Sequence, residues 1–431
     1  MIPELKNKAK EWLLWSQYYT KIDMVYFGAG GFWSTLPYII STVLSMGLII
    51  AFANLLPKEI YGTYKYILSV AGILSFLTLT GMNTALTRAV AQGQKGLLRW
   101  SIKKQLKFNS IYFFACFIVA GYYWFHSNNV LAIGLTIMGI TFPINTALTS
   151  YGAYLAGKKN FKRASHYSII SSIFSTLTLL SSLFLTDKIN LLVAAYSTGV
   201  LLPSLFFYFK TAQEDNDNTA SELQKNEVLK YSAHLTIVPI VSVVSQYIDK
   251  MILFQSIGAI ELAIYSLAQA IPERLKGLAK SGSAILLPRL AERSLEDIRP
   301  SFYQRLFLSA LPGAVIFIIY WFIAPYIFSY LLPGYLDSIK YSRVLMIGPI
   351  FSIPFNYIGA VFRSQKMLRA IYLSSFIART PTIFLYFILG LTWGLWGMVI
   401  ANVSGLALTV IWTVVIWEIE YRKLSRKCRL S

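Results

Sequence analysis

Residues 271–290 read IPERLKGLAKSGSAILLPRL and set Glu273, Arg274, Lys276 and Lys280 close together in otherwise apolar surroundings. On a helix Glu273, Lys276 and Lys280 share one stripe, and Arg274 stands about a quarter turn away. Lys276 and Lys280 form an i,i+4 like-charge pair, unfavourable by itself; an anion bound on that face would relieve it. Asp249 and Lys250 lie in the preceding apolar stretch, and Arg379, followed by Thr380 and Pro381, in a later one. Arg and Lys pair well with phosphate oxygens. The chemistry predicted for Lys250, Arg274, Lys276, Lys280 and Arg379 is therefore capture of an anionic substrate, with Asp249 and Glu273 tuning the charge or carrying a coupling ion.

The elements that must position these groups are transmembrane helices. The chain is 56% hydrophobic and 13% charged over 431 residues, against about 25% charged in soluble domains, and its mean hydropathy is +0.55. About twelve apolar stretches each approach the roughly 20 residues that ~30 Å of hydrocarbon demands. They are 33–56, 62–87, 108–126, 129–151, 166–186, 189–209, 231–255, 259–288, 306–329, 343–363, 368–390 and 393–417. A lipid-spanning β-barrel is excluded, because its strands alternate polar and apolar residues and these runs are continuous. A charge at the bilayer centre costs about 2.5–3.5 kcal/mol, so five or six facing lipid would cost on the order of 15 kcal/mol. They must face a hydrated cavity or one another. The internal pairs expected are Glu273 with Lys276, and Asp249 with a lysine of the 259–288 span.

The net charge of +20 would fit nucleic acid, but its distribution excludes that partner. Lys95, Arg99, Lys103, Lys104 and Lys107, then Lys158, Lys159, Lys162 and Arg163, and the tail Arg422, Lys423, Arg426, Lys427 and Arg429 all fall on one side of the predicted topology. Lys58, Lys65, Lys188, Lys340 and Arg343 are assigned to the other side. This is the positive-inside bias, and it places both termini in the cytoplasm.

The predicted organisation is a basic amphipathic segment along the cytoplasmic surface (1–32), a six-helix bundle (33–210) and a polar linker (211–230). A second six-helix bundle (231–418) and a basic cytoplasmic tail (419–431) follow. The halves repeat: Tyr64, Leu74, Leu77, Gly81, Leu86 and Arg88 match Tyr265, Leu275, Leu278, Gly282, Leu287 and Arg289 in one register. Six spans per half give both copies the same orientation, a pseudo-two-fold along the membrane normal with the substrate path between halves. In that register Glu273, Arg274, Lys276 and Lys280 face Gly72, Ile73, Ser75 and Leu79. A charge required by the fold would recur in both copies. Arg88 and Arg289 do recur, and read as helix-end anchors.

Other chemistry is missing. Gly152 to Lys159 approaches a phosphate-cradling loop but lacks its terminal Ser or Thr and follows a membrane span instead of a strand. Cys116 and Cys428 make neither a disulfide framework nor a metal cluster, and His126, His166 and His234 are scattered. No cofactor, metal or catalytic constellation is expected, so the chain reads as non-enzymatic. His234, Asn54, Asn145 and Asn402 read as polar contacts between helices.

Residues 55–92, LLPKEIYGTYKYILSVAGILSFLTLTGMNTALTRAVAQ, resemble the Wzx-type polysaccharide-repeat-unit flippases of the multidrug/oligosaccharidyl-lipid/polysaccharide exporter superfamily. Pro57, Glu59, Gly62-Thr-Tyr64, Gly81 and Arg88 carry the resemblance, and the six-plus-six layout extends it over nearly the whole chain. It implies an all-α, V-shaped exporter of two bundles in a bacterial inner membrane. The implied substrate is an undecaprenyl-pyrophosphate-linked oligosaccharide, flipped to the outer leaflet for O-antigen or capsule synthesis. Polysaccharide polymerase and chain-length proteins would be partners, and H+ or Na+ the coupling ion. Two alternatives are an ion-coupled small-molecule exporter of the same superfamily and a membrane-embedded glycan polymerase or ligase. The superfamily's drug antiporters often use an acidic residue in the first span, and 33–56 has none. Its lipid II flippases typically have fourteen spans against twelve here.

Overall fold

With no water in hydrocarbon to satisfy peptide groups, a spanning chain must bond them within itself, and continuous apolar runs do so as helices. The computed structural model describes residues 24–215, 220–291 and 293–430, without the side chains of 24–30, 34, 278–289, 291 and 424–430. The first half holds α1 (Met24–Leu55), α2 (Lys58–Leu74), α3 (Met82–Ala91), α4 (Leu97–Phe125), α5 (Asn129–Leu148), α6 (Ser150–Gly157), α7 (Phe161–Leu185) and α8 (Ile189–Ala212). The second holds α9 (Glu222–Ile237), α10 (Ile240–Ser256), α11 (Ala259–Ala291), α12 (Leu295–Ile298), α13 (Phe302–Leu331), α14 (Ser338–Leu345), α15 (Gly348–Ser364), α16 (Leu368–Phe376) and α17 (Thr380–Leu430). Most of the segment assigned to 1–32 lies outside the described residues, and helix is already formed at Met24.

Among the described residues nine helical stretches, ten if the bent pair α9–α10 is one span, are long and apolar enough to cross a bilayer. Two more complete the set of about twelve. α11 is long enough at 33 residues but carries Glu273, Arg274 and Lys276 in its middle. α17 folds back at Gly394, whose φ of +58° favours glycine. The two arms are tied where Asn402 Nδ2 donates to the Tyr386 hydroxyl (2.9 Å) and Thr409 Oγ1 to the Ala378 carbonyl (3.1 Å). Gly394→Ala should destabilise the protein by about 1–2 kcal/mol, read as a lower unfolding temperature in detergent.

Several spans are broken, and each break has a local cause or a local remedy. The second span leaves α-helix at Ser75–Leu77, and Thr78 is extended (φ −93°, ψ 155°). The Leu79 amide this frees donates to Asn109 Oδ1 at 3.1 Å, while Asn109 Nδ2 donates to the Pro143 carbonyl at 3.1 Å. Asn109 is fully buried. Asn109→Ala would orphan that amide, and the expected cost is about 1–3 kcal/mol, measurable as a fall in unfolding temperature. α9 and α10 meet at a 42° bend beside Pro239. The eleventh span breaks between α16 and α17, directly before Pro381, whose ring clashes with a helical carbonyl one turn back.

The polar linker is partly clamped. Asp215 is buried, accepting from the backbone amides of Gly96 and Leu98 and from the Tyr154 hydroxyl, each at 3.1 Å. Glu214 pairs with Arg163 at 2.6 Å. Ser221 and Gln224 form a capping box that starts α9.

The halves meet chiefly through α2 against α10 and α11, and α3 against α9. At the Gly62 end one continuous apolar core joins both, with Phe52, Tyr61 and Tyr64 packed among Leu253, Tyr265, Phe328 and Tyr335. At the opposite end the core splits. Leu86, Leu97 and Tyr154 sit in one cluster and Phe302, Phe362 and Trp417 in another. α9 packs on the first cluster, through Val228 and with Arg88 over the Tyr231 ring at 4.9 Å, and touches the rest of the second half where His234 is hydrogen-bonded to Tyr372. The two bundles therefore form a V closed at the Gly62 end.

Candidate functional site

The site grows from α11, whose charged middle packs between α2 of the first half and α15 of its own. Glu273 and Lys276, one helical turn apart, form an ion pair of 2.9 Å. The Glu273 side chain is 50% exposed yet deeply enclosed by protein atoms, so it faces an internal cavity. Lys276 Nζ also donates to Asn402 Oδ1 at 3.4 Å, and Asn402 is fixed in turn by Tyr386. Gly348 makes room for this reach: a Cβ there would sit 2.5 Å from Lys276 Cε. Gly348→Ala should therefore displace the ammonium and weaken anion binding about ten-fold, the effect of roughly one lost charge-assisted contact, with little change in unfolding temperature.

Asp249 on α10 is 2% exposed. Its carboxylate accepts from the Tyr265 hydroxyl at 2.9 Å, Gln269 Nε2 at 3.1 Å and the Lys250 amide at 2.8 Å. Lys250 Nζ stands 3.4 Å from the same carboxylate and 3.3 Å from the Gln246 carbonyl. The partner expected for Asp249, a lysine of the 259–288 span, is not the one the structure supplies. α10 and α11 run antiparallel, so Asp249 faces Tyr265 and Gln269, and Lys276 lies about 16 Å further along α11 than Tyr265.

Arg379 occupies the break between α16 and α17, with its guanidinium over the Phe355 ring at 5.3 Å. It lies within electrostatic reach of Glu273 and Tyr386. Glu273 in turn lies within reach of Lys276, Lys250 and Arg379. Lys250, Glu273, Lys276, Arg379 and Asp249 thus belong to one polar constellation in the second half. The Lys280 side chain lies outside the described residues.

Arg274 points to the other half. Its carbonyl accepts from the Tyr38 hydroxyl of α1 at 3.2 Å, and its charge lies within reach of Lys65 on α2, as does that of Lys250. The position expected for Lys65 is an outer helix end. Instead it projects from α2 into the contact with the second half, its ammonium over the Tyr61 ring at 5.2 Å. Among the described residues neither Lys65 nor the Arg274 guanidinium has an ion-pair partner. Two cations without ion-pair partners, one from each half, thus lie within electrostatic reach of each other across the seam. Sequence reasoning missed Lys65 because it lies in the outer part of its span; its depth of about 10 Å along α2 was the available signal.

The remaining expected polar contacts take simple forms. Asn54 donates to the Leu331 carbonyl at 2.9 Å across the halves, and Asn145 accepts from Ser204 at 2.8 Å. His234 on α9 is hydrogen-bonded to the Tyr372 hydroxyl of α16. Among the described residues no group of three or more His, Cys, Asp or Glu side chains is arranged to hold a metal ion. The constellation sets Lys250, Lys276 and Arg379 around Glu273, with Arg274 within electrostatic reach of Lys65 in the other half, an arrangement suited chemically to a multiply charged anion.

Comparison with known proteins follows the same lines. A family model described as "Polysaccharide biosynthesis protein" matches residues 27–294. A solved structure of the lipid II flippase MurJ in an inward closed conformation superposes with a TM-score of 0.69, at 15% identity over 90% of this chain and 87% of that one. An outward-facing multidrug resistance MATE family transporter of the MOP superfamily gives a TM-score of 0.59, at 16% identity over 92% and 96% of the two chains. An inward-facing transporter of the same family gives 0.58, at 14% identity over 91% and 95%. No curated protein matches this chain. Among the described residues the helical, two-bundle fold is similar to that of these solved transporters.

Proposed function

The chain belongs to the polysaccharide biosynthesis protein family, and from that premise we propose that it flips an undecaprenyl-pyrophosphate-linked oligosaccharide across a bacterial cytoplasmic membrane. The observation that carries the reading is the pair of uncompensated cations, Lys65 and Arg274, on opposite halves of a V-shaped bundle. A pyrophosphate between them would draw the halves together, and the Coulomb gain is large where water is scarce. Lys250, Lys276 and Arg379 extend the cationic surface, and Lys280 lies on the same α11. Both termini face the cytoplasm in this reading, so the Gly62 end is outer and the V opens inward. Alternating access is then a rocking of one half against the other, delivering repeat units for O-antigen or capsule. Asp249 and Glu273 tune the site, and Asp249, buried with donors from Tyr265, Gln269 and both nitrogens of Lys250, is the candidate carrier of H+ or Na+ coupling. Polysaccharide polymerase and chain-length proteins are the expected partners; the chain itself performs no bond chemistry.

Neutralising Lys276, Lys280 and Arg379 together should abolish surface polysaccharide in cells that make the protein at normal levels. Unchanged polysaccharide at normal protein levels would refute the cavity assignment. An ion-coupled small-molecule exporter is the second reading, favoured by the same fold in MATE transporters together with the buried Asp249. Gradient-driven export of cationic drugs, with surface glycan unaffected, would establish it instead.

A further inference from the structure

The break before Pro381 has two faces. On one, Arg379 turns inward over Phe355 toward the cationic cavity. On the other, Ile377 and Thr380, which flank Arg379 in sequence, line an apolar groove of about 570 Å³ together with Phe376, Pro381, Phe384 and Trp412. The groove opens sideways between the two arms of the eleventh and twelfth spans: Phe384 is 62% exposed and Trp412 42%. Its threonine hydroxyl is already engaged, since Thr380 Oγ1 donates to the Phe376 carbonyl at 2.6 Å. A cavity of about 150 Å³ holds one benzene, so this one has room for roughly four groups of that size.

We propose that the groove seats the substrate's polyprenyl chain beyond its first two isoprene units, which round the intervening helix, about 10–12 Å across, from a diphosphate held in the cationic cavity. This rests on the flippase reading and adds that the tail docks on the protein instead of lying wholly free in the bilayer. Three observations carry it. The groove is lined almost wholly by carbon, it opens to lipid, and a single break of three residues, 377–379, presents it back to back with a cavity-facing arginine. A chain leaving the diphosphate has only the thickness of one helix to round before reaching it.

Binding of two diphosphates to the full chain in nanodiscs tests this, one with a long polyprenyl tail and one with a ten-carbon tail. Lipid is as apolar as the groove, so the preference arises from packing alone. The long chain should bind about five-fold more tightly, one packing contact's worth. Leu408→Trp and Ile388→Trp fill the groove and should abolish that preference while leaving the ten-carbon ligand's affinity intact, which also shows that the variants are folded. On the unmodified chain, a photoreactive long-chain diphosphate should label residues 376–388 and 408–412. An unchanged chain-length preference in the filled variants would overturn the proposal, as would labelling of the groove by a photoreactive phospholipid that the polyprenyl diphosphate does not displace. Failure of either diphosphate to bind the unmodified chain would overturn the flippase reading and this inference with it. Normal ten-carbon binding with no groove effect would overturn this inference alone.

Discussion

Replacing Lys65 and Arg274 together by glutamine should lower affinity for a diphosphate-linked lipid by about two orders of magnitude and leave the unfolding temperature unchanged or raised. The two effects have opposite signs because the cations lie within electrostatic reach of each other and neither has an ion-pair partner among the described residues. Each charge-assisted contact to a bound anion contributes about 1.5–3 kcal/mol, so losing both costs at least about a hundred-fold in binding. In the empty protein the same pair only repels, and neutralising it relieves that repulsion. A purely structural role predicts the reverse pattern, a lower unfolding temperature with binding affected only through misfolding. Calorimetric titration with the lipid and thermal unfolding of the same samples separate the two. The single variants should each show roughly half of the binding loss in free energy, since both cations contact one ligand.

The second large effect is expected at Gly62, and it concerns motion instead of binding. A Cβ at Gly62 would lie 1.8 Å from the Ala259 carbonyl oxygen, a backbone atom that cannot rotate away. Gly62→Val should therefore force α2 and α11 apart at this end and prevent the closed seam described here. At the far end Gly81 packs so tightly on α9 that a Cβ there would lie 2.2 Å from the Ser232 carbonyl oxygen. The Gly81 amide also donates to Thr236 at 3.0 Å, so α3 and α9 remain joined. Spin labels on the two halves near the Gly62 end should report a separation larger by several ångströms in Gly62→Val. Transport should fall by at least about ten-fold, because one of the two access states is lost. Distances matching the unmodified protein would show that the seam is not a closing surface. Lys65 lies one turn from Gly62 on α2, so affinity at the proposed site should fall as well, though less than transport.

Much of this was legible in the sequence because it depends on local spacing. Continuous apolar runs can only be helices in lipid. Glu273 and Lys276 stand one turn apart whatever surrounds them, and Pro381 breaks its helix wherever the helix lies. The repeat register also isolated the α11 charges from the shared frame, since residues 72–79 have nothing comparable. What could not be read was which helix of one half faces which helix of the other. Lys65 looks like an ordinary helix-end lysine until α2 is known to pack on α10 and α11. Asn402 and Gly348 lie far from Lys276 in sequence and gain their roles only through the α15 and α17 contacts. The partners of Asp249 were missed for the same reason. Antiparallel pairing of α10 with α11 sets Tyr265 and Gln269 beside it, and that register is a tertiary fact.

A protein that moves a lipid by holding its anionic head between two halves should carry only lipids that bear the charge. Transport in proteoliposomes of two fluorescent glycolipids with the same tail and sugar, one joined through diphosphate and one through an uncharged linkage, tests it most directly. Only the diphosphate lipid should cross, and Lys65→Gln with Arg274→Gln should slow it at least about ten-fold. Equal movement of both lipids, or undiminished transport by the double variant, would contradict it.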